Sequence, residues 1–146
     1  VSNQPGVAHG IFPESALHDV WAHLEAELLR SGVSLHAIYY CPHHPAGRHA
    51  RYTRACDCRK PQPGLLVRAA LDHGFELERS WMIGDILDDI EAGNRAGCRT
   101  VLLDVGSETV WRRGPYRRPH ASVQTLSEAA ALILSDIRCE AVERSA

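Results

Sequence analysis

The segment WMIGDILDDIEAGNRAGCRTVLL, Trp81 to Leu103, leaves few folds open. A short apolar run, WMIG, gives way to a stretch with helical spacing from about Leu87 to Ala96. Gly97 stops that helix, and RTVLL follows as a second apolar, β-branched run. Two strands joined by a helix of about ten residues cannot form a hairpin; the helix carries the chain back, so the strands lie parallel. The same alternation extends in both directions. Upstream, Pro13 to Ser31 places Leu17, Val20, Trp21, Leu24 and Leu28 at helical spacing, Gly32 stops it, and HAIYY (His36 to Tyr40) reads as a strand. Pro63 opens a helix with Leu66, Ala69 and Ala70 on one face, closed by Gly74. Downstream of an irregular stretch from Gly106 to His120, ASVQ is a short strand and Thr125-x-x-Glu128 a capping box for the last helix.

This pattern predicts an α/β fold on a mostly parallel sheet, in one domain of 146 residues. In such sheets ligands gather beyond the carboxyl ends of the strands. Three polar segments fall there: VSNQ at the start, CPHH after HAIYY, and GDILDD after WMI. Sixteen basic and eighteen acidic side chains, formal charge −2, argue against nucleic-acid or membrane binding through bulk positive charge. No apolar run approaches the roughly 20 residues of a membrane span, and no leader pattern is present, so a soluble cytoplasmic protein is expected. The only methionine is Met82, and Val1 is therefore expected to be a trimmed or truncated beginning.

Three of the five cysteines lie in the loop from 41 to 60. Cys41-x-His43 and Cys56-x-Cys58 together offer three thiolates and an imidazole, a complete tetrahedral set for Zn²⁺. His44 and His49 are alternatives to His43 as the fourth ligand. Four protein ligands leave no position for water or substrate, so the ion would brace the loop rather than hydrolyse anything. The residues between the ligand pairs are nearly all polar, and metal can replace a core there. Cys98 and Cys139 read as an ordinary helix-to-strand residue and an ordinary residue of the last helix.

Asp85 follows the WMIG strand, and Asp88 and Asp89 fall in the first turn of the next helix. Hard carboxylate oxygens at such a place suit Mg²⁺, while Asp88 is more simply explained by the helix dipole. Arg59 and Lys60 are held between the last thiol and Pro61. Lys60 would meet a phosphate oxygen as a point charge and Arg59 a second anionic group through its planar fork. Ser2 and Asn3 add a hydroxyl and an amide suited to phosphate oxygens.

These pieces in this order, VSNQPGVAHG, YYCPHHPAG, CDCRKPQPG and MIGDILDD with its EAG, resemble the haloacid dehalogenase (HAD) phosphatases, in particular their zinc-containing heptose-bisphosphate and histidinol-phosphate branch. The likeness runs from Val1 to about Leu103. It implies a Rossmann-like sheet, Mg²⁺-dependent phosphomonoester hydrolysis through an aspartyl-phosphate, and a structural Zn²⁺ in a substrate-recognition loop. By motif, Ser2 would hold the transferring phosphoryl group with Asn3 beside it, Lys60 would be the catalytic cation and Arg59 would recognise the far end of the substrate. Asp85 would ligate Mg²⁺, Asp89 would support that site, and Cys41, His43, Cys56 and Cys58 would ligate zinc. The implied reaction is removal of the 7-phosphate of D-glycero-D-manno-heptose 1,7-bisphosphate by a monomer. Histidinol-phosphate hydrolysis, or a non-catalytic zinc-braced anion-binding remnant, are the alternatives.

Two departures qualify the resemblance. The Asp-x-Asp loop whose first carboxylate is the nucleophile belongs upstream of VSNQ, and no Asp-x-Asp occurs anywhere in the chain. The first strand and nucleophile loop are therefore expected to be missing, and the chain alone to be inactive. After Leu103, DVGSETVW replaces the family's basic, Gly-containing stretch.

Overall fold

The computed structural model describes residues 1–143; the chain divides into two compact units, the first Val1–Gly74 and the second beginning at Phe75. In the first, β1 (Ser2–Asn3) pairs in parallel with β2 (Tyr40–Cys41), Ser2 opposite Tyr40 and Asn3 opposite Cys41. Backbone bonds extend the pairing at both ends, from Ser2 N–H to Tyr39 O at 2.9 Å and from Gln4 N–H to Cys41 O at 2.8 Å. The predicted strand His36 to Tyr40 thus shrinks to its last residue and shifts onto Cys41, because only Ser2 and Asn3 are there to pair with it. A one-turn helix, α1 (Pro5–Ala8), follows β1 within the polar opening segment and begins on a proline whose missing N–H costs nothing in a first turn.

Helix α2 (Ala16–Arg30) buries Leu17 and packs Trp21 against a cluster of Val7, Ala8 and Tyr52. Val20 and Leu24, on the predicted apolar face, remain exposed within this unit. Helix α3 (Gly64–His73) buries Leu65 and closes on Gly74 at φ 71°, the left-handed conformation glycine adopts without steric cost. Gly64 has a different reason to be glycine: a Cβ there would sit 2.4 Å from Asp57 O.

The second unit holds a three-stranded parallel sheet in the order β3 (Trp81–Gly84), β4 (Arg99–Leu103), β5 (Ala121–Val123). Helix α4 (Leu87–Ala96) connects β3 to β4, with Leu87 and Ile90 buried against Leu102 and with Ala92 also buried. Met82 stands beside Thr100 and Ile83 beside Val101. Residues 77–79 form a 3₁₀ turn before β3. Helix α5 (Leu126–Glu143) starts on the expected capping pair: Thr125 Oγ1 accepts from Glu128 N–H at 3.1 Å, and Glu128 reaches back to Gln124 N–H at 2.8 Å.

Candidate functional site

The loop after β2 returns on itself because its backbone is tied to α1. Arg48 and His49 N–H both donate to Ala8 O, at 2.7 and 2.9 Å. Tyr52, the loop's buried aromatic, enters the core, and its hydroxyl donates to Glu14 at 2.6 Å. Tyr40 donates to the other oxygen of the same carboxylate at 3.3 Å. Glu14 and Tyr52 were not singled out in the sequence, although a lone aromatic in an otherwise polar loop is a signal of anchoring.

That fold-back gathers the four expected ligands. The donor atoms of Cys41, His43, Cys56 and Cys58 all lie within 4.8 Å of one another. Cys58 Sγ is 3.1 Å from Cys41 Sγ and 3.3 Å from Cys56 Sγ, and His43 Nδ1 is 3.3 Å from Cys58 Sγ and 3.6 Å from Cys41 Sγ. A tetrahedral ion with Zn–S of about 2.3 Å and Zn–N of about 2.0 Å separates its donors by about 3.5–3.8 Å, so small side-chain movements suffice to ligate one. Burial pushes the Cys41 and Cys58 thiols up. At Cys56 burial acts the same way, but hydrogen bonds from the Cys58 and Cys41 thiols and from backbone amides outweigh it and lower that thiol. His43 is lowered by burial and by the Arg54 cation, which keeps the imidazole in the neutral form that binds metal. His44 and His49, the alternatives, face elsewhere: His44 packs on His9 at 4.6 Å and His49 on Tyr52 at 5.0 Å between ring centroids. Among the described residues this is the only cluster of three or more metal-ligand side chains.

Two residues beyond the last thiol, the chain is clamped. Lys60 N–H donates to Asn3 Oδ1 at 3.0 Å, and Asn3 Nδ2 donates to Lys60 O at 3.1 Å. Asn3, expected to face phosphate, thus uses its amide to hold the Lys60 backbone against β1. Lys60 itself is buried, and its Nζ donates to Val1 O at 3.2 Å, which brings the ammonium to the strand that carries Ser2. Ser2 Oγ accepts from Gln4 Nε2 at 2.9 Å, leaving its own O–H to donate. Arg59 Nη1 is buried and lacks a hydrogen-bond partner, the condition of a donor set aside for an anion.

In the second unit, Asp85 stands exposed at the carboxyl end of β3. Asp89 is buried, and its Oδ2 lies 3.2 Å from Asp85 N and 3.4 Å from Ile86 N, so it fixes the turn on which Asp85 is carried. Gly84 permits this, since a Cβ there would lie 2.1 Å from Asp89 Cβ. A single hard carboxylate on a fixed turn fits Mg²⁺, which takes one or two protein carboxylates and completes its shell with water and phosphate. Asp88 stands in the first turn of α4, as the helix-dipole reading expects, and its carboxylate also accepts from Arg117 at 2.9 Å. Capping falls to Asp89 and to Glu108, whose Oε2 accepts from Leu87 N–H at 2.7 Å. Glu108 lies 21 residues away on an irregular segment, which hides such a cap from local sequence reading.

A family model described as HAD-hydrolase-like matches residues 57–129, half of the chain. The chain belongs to the HAD hydrolases. It is 43% identical over 103 residues to a D-glycero-β-D-manno-heptose-1,7-bisphosphate 7-phosphatase of Photorhabdus laumondii, covering 70% of this chain and 55% of that protein. To the enzyme of the same name from Escherichia coli K12 it is 36% identical over 121 residues, covering 83% and 60%. The chain thus spans somewhat over half the length of these curated relatives. Among solved structures, D,D-heptose 1,7-bisphosphate phosphatase from B. bronchiseptica, complexed with magnesium and phosphate, superposes with a TM-score of 0.75 at 26% identity, covering 92% of this chain and 73% of that one. A HAD-like phosphatase from Mesorhizobium loti gives 0.75 at 32% identity, covering 90% and 61%.

Proposed function

We propose that this chain carries the zinc-braced recognition loop and the magnesium carboxylate of a phosphatase acting on a small phosphorylated sugar, with D-glycero-D-manno-heptose 1,7-bisphosphate the first candidate substrate. The observation that carries the reading is the continuity from metal cluster to cation: Cys58, Arg59 and Lys60 are consecutive, the cluster fixes one end, and the Asn3 clamp fixes the other. The names of the relatives support the choice of substrate. Zinc held by Cys41, His43, Cys56 and Cys58 would be structural, since all four positions are filled by protein. Magnesium at Asp85, with Asp89 as its support, would offset charge on the phosphoryl group. Lys60 neutralises phosphoryl oxygens, Ser2 donates a hydrogen bond to one of them, and Arg59 receives the second anionic group. The free cysteines fit a reducing cytoplasm.

One feature favours a second reading, an anion-binding module without hydrolysis: no Asp-x-Asp lies in these 146 residues. Both are tested by measuring phosphate release from the heptose bisphosphate and from histidinol phosphate, using this chain and the chain joined to whatever its reading frame encodes ahead of Val1. The phosphatase reading expects Mg²⁺-dependent release by the longer protein, with the heptose bisphosphate preferred, and its loss in Lys60→Ala. Absence of release from every phosphomonoester, with phosphate still bound, supports the second reading and overturns the first.

A further inference from the structure

A cavity of ≈760 Å³ belongs wholly to the second unit and contains neither Asp85 nor any residue of the first. It opens beyond the carboxyl ends of β4 and β5, where parallel sheets bind ligands, with Leu102 and Asp104 at the end of one strand and Ser122 in the other. Four arginines line it, Arg112, Arg113, Arg117 and Arg118, against one carboxylate, Asp104. Arg117 is committed: it bonds Asp88 and Glu91 at 2.9 and 2.8 Å, and Glu108 lies near enough to act on it electrostatically. Arg112, Arg113 and Arg118 are exposed and make no ion pair with the described residues. A chain of net charge −2 has therefore concentrated three uncommitted cations around one hollow.

The walls are held in place. Asn94 on α4 donates to Tyr116 O and Arg118 O at 2.8 and 2.9 Å, and Arg95 lies over the Tyr116 ring at 5.0 Å. On the other side Glu108 holds Val110 N–H at 2.6 Å and Leu87 N–H at 2.7 Å. Trp111 lines the hollow and is 58% exposed, beside Leu87 and Leu102. Guanidinium groups suit a phosphate, an open indole face suits the C–H face of a sugar ring, and Asp104 and Ser122 suit hydroxyls while the carboxylate disfavours polyphosphate.

We infer that this hollow is a second binding site, for a monophosphorylated sugar, built on the Arg112–Arg118 segment and independent of Lys60. It goes beyond the proposed phosphatase site and survives if that proposal fails. The test is titration of the full chain, ¹⁵N-labelled, with D-glucose 6-phosphate, D-glucose and inorganic phosphate. The reporter is the Trp111 indole N–H resonance, identified by its loss in Trp111→Phe, and Kd comes from the titration of that resonance. Glucose 6-phosphate is expected to shift that resonance and to bind about tenfold or more tighter than either fragment. Arg113→Gln and Arg118→Gln, both surface changes that leave Asp88 and Glu91 paired, are each expected to weaken binding read at that resonance about tenfold. The inference is overturned if the indole stays still up to about 10 mM ligand, if inorganic phosphate titrates it as tightly as the phosphosugar, or if both arginine variants bind like the parent.

Discussion

Asn3→Ala isolates the clamp that holds Lys60. The substitution removes two hydrogen bonds at once, 3.0 Å to the Lys60 N–H and 3.1 Å to its carbonyl, and Lys60 is only 9% exposed. Each bond is worth about 0.5–1.5 kcal/mol net, and a buried group left unpaired costs about 1–3 kcal/mol. The expected loss is about 2–4 kcal/mol, which is roughly 30- to 1000-fold in the equilibrium that opens this segment. Amide hydrogen exchange at Lys60, followed by NMR, reads that equilibrium directly. The variant should lose protection there by about that factor, while zinc content is retained because none of the four ligands is touched. An exchange rate within about threefold of the parent would mean that water replaces the amide at no cost, and the clamp would have no energetic meaning.

Gly84→Ala drives a methyl group into Asp89, 2.1 Å from its Cβ; a shift in the Asp85 and Asp89 resonances and a loss of about 1–3 kcal/mol in urea unfolding are expected, and an unperturbed spectrum would show that the turn relaxes freely. Burial raises the Cys98 thiol above 9.0 in the folded state. Well below pH 9.0 both folded and unfolded thiols are protonated and nothing is lost; as pH rises through 9.0 the unfolded thiol ionises first, so stability falls with rising pH, and Cys98→Ala should flatten that fall. Burial acts to raise Glu91, but Arg95 and Arg117 outweigh it and hold its carboxyl below 4.5. In Arg117→Ala, ¹³C NMR titration should find that pKa moved upward; an unchanged value would leave Arg95 as the sole cause.

The second unit was the more legible in sequence, because its segments satisfy local rules that tertiary contacts do not override. Leu87–Ala96 and Arg99–Leu103 stand where periodicity and Gly97 put them. The first unit was harder: His36 to Tyr40 has strand composition, yet a strand needs a partner, and β1 offers two residues. At the candidate site, the metal cluster was readable because ligand chemistry is carried by residue type and close spacing. The role of Asn3 was not, because its partner lies 57 residues away and is a backbone group, identical at every position in the sequence. The Arg112–Arg118 hollow escaped for a related reason: arginines on an irregular stretch read as solvated surface until Asn94 and Glu108 fix the walls they stand on.

In the proposed site, three thiols and one imidazole hold an ion that braces the approach to Lys60. Metal content of the chain purified without chelator, joined to the absorption spectrum after cobalt replacement, tests it most directly. About one zinc per chain, the intense ligand-field bands of tetrahedral thiolate-bound Co²⁺, and loss of both in Cys56→Ser are the predicted result. Chain that folds with no bound metal, or cobalt showing only the weak spectrum of an octahedral oxygen-ligated ion, would contradict it.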